Sequence, residues 1–424
     1  MAKKHDVVIT GMGQISSLGI SSQELINNLI SSKSGIQCWT SPMLTKQFPA
    51  ALVPHNFSDE FKKLELTYLD RCSQMAVLAA RQAITDAGLD QFTEYAQRAG
   101  LFYGTVRAGS EIEELMFKDF LIEKKETSRP YAIFAIMHNA AAAQISIRHQ
   151  ILGPVMTHSS ACASSAVAIG DAYRAIRDGY LDIAIAGGAE APLTASMFSA
   201  WDGTRALATP NTNDVGQSCR PFSKNRSGLV FGEGAGFVIL ESAEHAKKRN
   251  SACYATLSGY GIASDGYHIG TPIADGQIIA MRAALQDAGL ESEAIQYLNA
   301  HATGTRGGDI VESNAIKAVF GETSKAPLVS STKSTHGHLL GAGSVLELII
   351  TTLAITESIL PATINLDEVD ADCVTLNHIA NSPILDRTTD RAMSFSSGLG
   401  GTNVALVVSR NKDLLMKHFS APIL

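Results

Sequence analysis

Three residues in this 424-residue chain stand where reactive side chains would have to stand. Cys162 lies in SSACASSAVAIGDAYRAI, where an extended stretch over residues 155–159 gives way to small residues and then to a helical pattern with apolar positions at 166, 167, 169, 173 and 176. A thiol there sits on a tight elbow at a helix N-terminus, where the macrodipole and unpaired N–H groups favour a thiolate. The flanking alanines and serines leave room for an acyl group, and the cysteine's own N–H is free to face an oxyanion. The competing reading is a buried structural thiol. That reading suits Cys38, Cys72, Cys219, Cys253 and Cys373, none of which stands at such a junction.

His301, in YLNAHATGTRGGD, leaves an apolar strand into a Gly/Thr turn, and the carboxyl ends of strands are where α/β folds build sites. Structural and functional roles are both open to it. Thr303 and Thr305 are placed to orient the loop, and Asp309 and Glu312 follow on the start of a helix. His338, in VSSTKSTHGHLLGAG, again comes just past an apolar strand, with Lys333 upstream. His336 and His338 form an H-x-H pair that, with His301, outlines a three-histidine zinc site. Against metal, Gly337 and the following GAG read as a turn into a helix, and no carboxylate pattern supplies a supporting shell. Gly11/Gly13 and Gly232/Gly234/Gly236 lack a GxGxxG spacing that opens a helix, so they read as turn glycines and not as a dinucleotide cradle. What remains is a thiolate with two imidazoles converging on it, a site for thioester chemistry. A Cys/His hydrolase is the generic competitor, but it has no use for the second strand-end histidine.

The elements that must carry these residues alternate. Residues 6–10, 100–104 and 181–186 read as strands running into glycine, with helical patterns over 71–87, 139–149 and 163–177. The second half repeats the plan: strands over 254–261, 295–300 and 327–331, helices over 277–288 and 343–359, and strands near Met393 and over 404–408. Each half closes in a glycine-rich segment that reads as a hairpin, 228–240 and 397–408. The polar stretch 244–251 divides the chain into residues 1–250, with the thiol, and 251–424, with both histidines, the halves sharing one core. Residues 105–130 read as an inserted, charged, helical excursion.

Composition bounds the rest. Hydrophobic residues are 45% and charged residues 18%, enough for a large core and against disorder. A net charge of −7 argues against a general nucleic-acid binder, and no apolar run is long enough to span a membrane. The N-terminal sequence has no apolar stretch of signal-peptide length, and six scattered cysteines without a CxxC pair fit a reduced cytoplasmic setting.

Taken together, SSACASS around Cys162, NAHATGT around His301, SSTKSTHGHLLGAG around His338, RPFSKNRSGLVFGEGAG and the C-terminal GLGGTN resemble the β-ketoacyl-ACP synthases, condensing enzymes of the thiolase superfamily. The likeness runs from VVITGMG to GTNVALVV, and the Cys-His-His set is similar to the elongating branch. It implies a duplicated thiolase-like fold of five layers, α/β/α/β/α. It further implies that Cys162 accepts an acyl chain from acyl carrier protein, and that His301 and His338 stabilise the enolate formed when malonyl-ACP loses carbon dioxide. The backbone N–H groups of Cys162 and Leu399 would form an oxyanion hole, with Lys333 and Glu312 in a supporting charged network and Asp309 beside it. No metal or organic cofactor is implied. Where the fatty-acid enzymes carry aromatic residues, this chain has Leu229 and Leu399, and acidic positions become Ser223, Asn225 and Ser227. The substrate pocket as a whole takes in Leu229, Leu399, Thr303 and Thr305, and losing two rings opens its acyl part and removes its flat walls. This points to polyene or type II polyketide chemistry. Alternatives are a fatty-acid elongating ketosynthase, a non-catalytic chain-length-factor-type subunit, or a thiolase, which the missing second cysteine near GLGGTN disfavours. The family forms dimers, so a homodimer or a heterodimer with a chain-length-factor-like subunit is expected, with Lys62, Lys63 and Arg71 as a candidate docking region for the acidic carrier protein.

Overall fold

The structure, a computed structural model, describes residues 4–322 and 324–418, so the outer ends of the two expected halves lie outside the described residues. Ten strands carry the architecture. In the first half they are β1 (Val7–Ile15), β2 (Ala99–Gly104), β3 (Val155–His158), β4 (Ile183–Glu190) and β5 (Gly234–Ser242). In the second half they are β6 (Ala255–Ser264), β7 (Tyr297–Asn299), β8 (Leu328–Ser330), β9 (Arg391–Gly398) and β10 (Thr402–Ser409). The first half is ordered β1-β5-β4-β2-β3 and the second β6-β10-β9-β7-β8. Each strand of the second half occupies the place of its counterpart five earlier. The directions repeat as well: β5 is antiparallel to β1 and β4, and β2 is parallel to β4 and β3, as β10 is to β6 and β9, and β7 to β9 and β8. A short antiparallel pairing of Val7–Ile9 with residues 255–257 joins the two sheets.

Six helices fill the layers. α1 (Arg71–Asp86) and α2 (Ala140–His149) cover the outer face of the first sheet; α4 (Ala274–Ala288) and α5 (Arg306–Phe320) cover the outer face of the second. Between the sheets lie α3 (Ser164–Arg177) and α6 (Gly343–Thr356). All 14 residues of α6 are buried, which explains its nearly continuous apolar run: a helix with sheet on both sides has no face for water. The layers are therefore α/β/α/β/α.

The strands do not stop at their glycines. β1 runs through Gly11 and Gly13 to Ile15, and β4 through Gly187 and Gly188 to Glu190. A Cβ at Gly11 would lie 2.2 Å from the Ala83 carbonyl and one at Gly13 2.2 Å from that of Ala79, so these glycines let the α1 backbone rest on the strand. The 228–240 segment is likewise not a hairpin. Phe231–Gly232 pairs in parallel with Phe48–Ala51, itself antiparallel to Ile36–Trp39, forming a small separate sheet, while Gly234 begins β5 of the large one. The second segment is a true hairpin, β9 to β10, turning at residues 399–401. The 105–130 excursion is helical over Ser110–Phe117 and Lys118–Ile122, with Phe117, Phe120, Leu121 and Ile122 exposed. Among the described residues, no helix is long and apolar enough to cross a membrane.

Candidate active site

Cys162 sits just before α3, after an elbow in which Ala161 takes φ +49°. The Ser164 hydroxyl holds that elbow, donating to the Ala161 carbonyl at 2.6 Å and accepting from the Ser160 N–H at 2.8 Å. A left-handed alanine is strained by roughly 1–2 kcal/mol, a cost local hydrogen bonds must offset. Ser344, at the start of α6, donates to the Cys162 carbonyl at 3.0 Å, so the central helix pins the nucleophile from the second half.

Both histidines arrive from that half. His301 follows β7, and its own N–H donates to the Glu312 carboxylate at 2.7 Å. His338 lies between a left-handed Gly337 (φ +67°) and a left-handed Leu340 (φ +45°) and is clasped by the small sheet: its N–H donates to Val230 at 2.7 Å and its carbonyl accepts from Gly232 at 2.9 Å. His338 Nε2 stands 3.0 Å from Cys162 Sγ. The two imidazoles meet edge to face, with centroids 5.4 Å apart. Thiol and rings open on one cavity of about 700 Å³ that Leu229, Leu399, Thr303 and Thr305 also line. The two threonine hydroxyls hydrogen-bond each other at 3.1 Å.

The electrostatics differ from the sequence expectation at the thiol. Burial pushes the Cys162 thiol up to about 11, while the Lys333 ammonium and the backbone N–H groups of Leu399 and Cys162 pull it down. Desolvation outweighs the helix N-terminus, so the resting sulfur is a thiol. The same two N–H groups face the sulfur and are positioned to serve an oxyanion beside it. Burial first, and the Lys333 charge second, hold both His301 and His338 well below the usual imidazole range, so both rings are neutral at pH 7.

Lys333 is wholly buried, and its ammonium binds Glu347 rather than Glu312. Glu347, the lone acid in the apolar α6, is a residue the sequence reading missed, although an isolated Glu in GSVLELIITTLAIT was the available signal. Glu312 instead anchors the His301 backbone, and Lys333 acts on it through charge. Asp309 works further off. It accepts from the Phe222 and Gly304 N–H groups at 2.8 and 3.1 Å and lies 3.5 Å from the buried Arg226, tying the 220–236 motif to the His301 loop. With Arg226 and Asp309 in that role, the segment holds together with Ser223, Asn225 and Ser227 in it.

Two further expectations change, at Arg71 and at the wall of the pocket. Arg71 cannot serve a docking surface, because both its Nε and Nη2 are engaged by Glu233 at 2.7–2.8 Å, whereas Lys62 and Lys63 are exposed. His336 does not join the histidines: its Nε2 pairs with Thr332 Oγ1 at 3.0 Å. The groups that do converge, Cys162, His301 and His338, have ligand atoms within 4.8 Å of one another, yet a cation there would meet the field of Lys333. Among the described residues, neither His301 Nδ1 nor His338 Nδ1 has a protein partner of the kind that orients metal ligands. Finally, the pocket keeps a flat wall after all, because Trp201 lines the same cavity.

A family model described as the β-ketoacyl synthase N-terminal domain matches residues 4–246, and its C-terminal counterpart matches residues 254–367. The chain is 39% identical over 410 residues to nodulation protein E of Rhizobium meliloti (strain 1021), covering 94% of this chain and 98% of that one. It is 37% identical over 415 residues to 3-oxoacyl-(acyl-carrier-protein) synthase 2 of Staphylococcus aureus (strain COL), covering 97% and 99%. A solved structure described as the ishigamide ketosynthase/chain length factor matches with a TM-score of 0.89 and 32% identity over 96% of this chain and 100% of that one. With the duplicated thiolase-like fold on which the thiol and both imidazoles meet, these matches settle the assignment: the chain belongs to the β-ketoacyl synthase family.

Proposed function

We propose that the chain condenses acyl and malonyl groups held on acyl carrier protein, with Cys162 as nucleophile and His301 and His338 as its partners. The observation that carries the reading is the 3.0 Å approach of His338 Nε2 to Cys162 Sγ, with the N–H groups of Cys162 and Leu399 directed at the same sulfur. The thiol rests protonated, so His338 Nε2 takes its proton as sulfur attacks the acyl thioester. The carbonyl oxygen gathers charge between the two N–H groups, and the carrier thiol leaves with the proton that His338 returns. Malonyl thioester then enters the vacated half of the cavity. Its carbonyl oxygen accepts an N–H from neutral His301 and, once His338 has exchanged to its Nε2–H tautomer through solvent, an N–H from His338 as well; carbon dioxide departs, and the enolate carbon attacks the Cys162 acyl carbon. The carbon–sulfur bond breaks with the electron pair on sulfur, the β-ketoacyl product leaves on the carrier, and the Cys162 thiolate takes up one proton from solvent water, the proton that decarboxylation of the malonyl carboxylate consumes. Thr303 and Thr305 line the approach for the carrier's arm, with Lys333, Glu347, Glu312 and Asp309 as positioning residues.

The two halves, residues 1–250 and 251–424, divide the labour, one giving the thiol and the other both imidazoles. Six free thiols support a reduced, cytoplasmic setting. Likeness to nodulation protein E and to a ketosynthase/chain length factor structure supports specialised, polyketide-type chemistry and pairing with a second ketosynthase-like chain. In support of that pairing, β3 ends the sheet order and leaves Val155 and Met156 exposed. Likeness to the synthase 2 enzyme favours fatty-acid elongation as the second reading. Intact mass of wild type and Cys162→Ala after mixing with acyl-loaded carrier proteins tests the assignment. An acyl adduct on wild type alone is expected; an adduct on both, or on neither, refutes it.

A further inference from the structure

The two tryptophans of this chain, Trp39 and Trp201, belong to one apolar cluster that also contains Cys162 and Leu229. Trp201 comes from the helix Ala195–Asp202 and lines the cavity shared with the thiol. Behind it the rings form an unbroken series of contacts, edge-on at first and stacked further in. Trp201 meets Phe231 at 5.4 Å and 82°, and Phe231 meets Phe198 at 5.3 Å. Phe198 in turn stacks on Trp39 at 4.3 Å and on Phe48 at 4.7 Å. Phe198 and Phe231 are fully buried. Trp39, Phe48 and Phe231 sit on the three strands of the small sheet, so the series is fixed to backbone hydrogen bonds and cannot recede when a chain presses on Trp201. Leu229, in the same cluster, lines the cavity beside it.

We propose that Trp201 is the specificity-determining residue of the acyl arm, selecting flat, conjugated acyl groups and limiting their length. A planar diene or arene lies against an indole without losing rotamer freedom, in the offset geometry that aromatic surfaces prefer. A saturated chain of equal length must freeze several torsions to lie against the same wall. This inference rests on Cys162 being the acylated nucleophile.

The test is competition between synthetic carrier thioesters of 2,4-hexadienoyl and hexanoyl groups, equal in carbon number, with Cys162 loading read by mass. Wild type is expected to favour the dienoyl group about threefold to tenfold, the worth of one stacked pair. Trp201→Ala is expected to lose that preference and to accept longer chains, while Trp201→Phe retains part of it. In a Trp39→Phe background, dienoyl loading is expected to change the emission of Trp201; this reading stands even where Trp201→Ala fails to fold. Equal loading by wild type, a preference that survives in Trp201→Ala, or an unchanged Trp201 emission on loading each overturns the inference. Absence of any adduct on Cys162 overturns the proposed function with it, and so separates the two failures.

Discussion

The state of the resting thiol is the sharpest point at which structure and sequence pattern diverge, and varying pH alone tests it. Burial lifts Cys162 from the ordinary 9.0 to about 11. At pH 8 about one thiol in a thousand is then ionised, against roughly one in ten for an unperturbed group, a deficit of about a hundredfold. The rarer thiolate is the stronger nucleophile, which recovers about sixfold to tenfold, so alkylation by iodoacetamide is expected to run about tenfold slower than at an open thiol. The more diagnostic quantity is the slope. The Cys162 rate, read by peptide mass at timed quenches with the exposed Cys38 as a check on the reagent, is expected to rise about tenfold per pH unit from about pH 7 to about pH 10 without levelling. A plateau at or below about pH 8 would falsify the argument. It would mean that the N-terminus of α3, Lys333 and the two N–H groups overcome desolvation, and that the thiol needs no proton acceptor.

Three further outcomes are expected. Replacing the buried pair together, Lys333→Met with Glu347→Gln, removes the charge that depresses both imidazoles; acyl transfer to Cys162, flat through pH 6.5 in wild type because His338 stays free to accept the thiol proton, is expected to begin falling at a higher pH in the variant, as a pH–rate profile would show. Arg226→Met removes the guanidinium that lies 3.5 Å from the buried Asp309 and 2.6 Å from Asp370, together with its bonds to the Ser223 and Arg306 carbonyls, and is expected to cost about 3–5 kcal/mol by denaturant unfolding; a loss under about 1 kcal/mol contradicts the role given to it. Glu190, wholly buried, is pushed up to about 7 by desolvation, so its contribution to stability is complete below the unfolded carboxyl range and is lost as pH rises through about 7. Glu190→Gln, which can keep the contacts to Thr105, Val106 and Arg107, is expected to remove a decline on the order of a few kcal/mol between about pH 4.5 and about pH 7; identical unfolding curves for the two proteins across that range contradict this.

Much of this enzyme was legible in one dimension because the chemistry depends on local pattern. A thiol at a strand-to-helix junction and histidines just past apolar strands are features of sequence neighbourhood. Cys162, His301 and His338 were therefore identifiable before any fold was known, as were α1, α2 and α3, whose periodicity a buried face imposes. The glycines misled for a definite reason. Gly11, Gly13, Gly187 and Gly188 read as strand ends because glycine often marks a turn, yet here it admits a helix or a neighbouring strand against β1 and β4, a contact between residues far apart in the chain.

The sequence by itself determined which groups are candidates for the chemistry, the order of the elements that carry them, and the doubling of the plan, because residue type and hydrophobic period are written along the chain. Only the tertiary structure decided how those groups behave. The partner of Lys333, the engagement of Arg71 by Glu233, the wall at Trp201 and the protonation of Cys162 all depend on which residues from distant segments share one water-poor space, and desolvation is a property of that space, not of any segment.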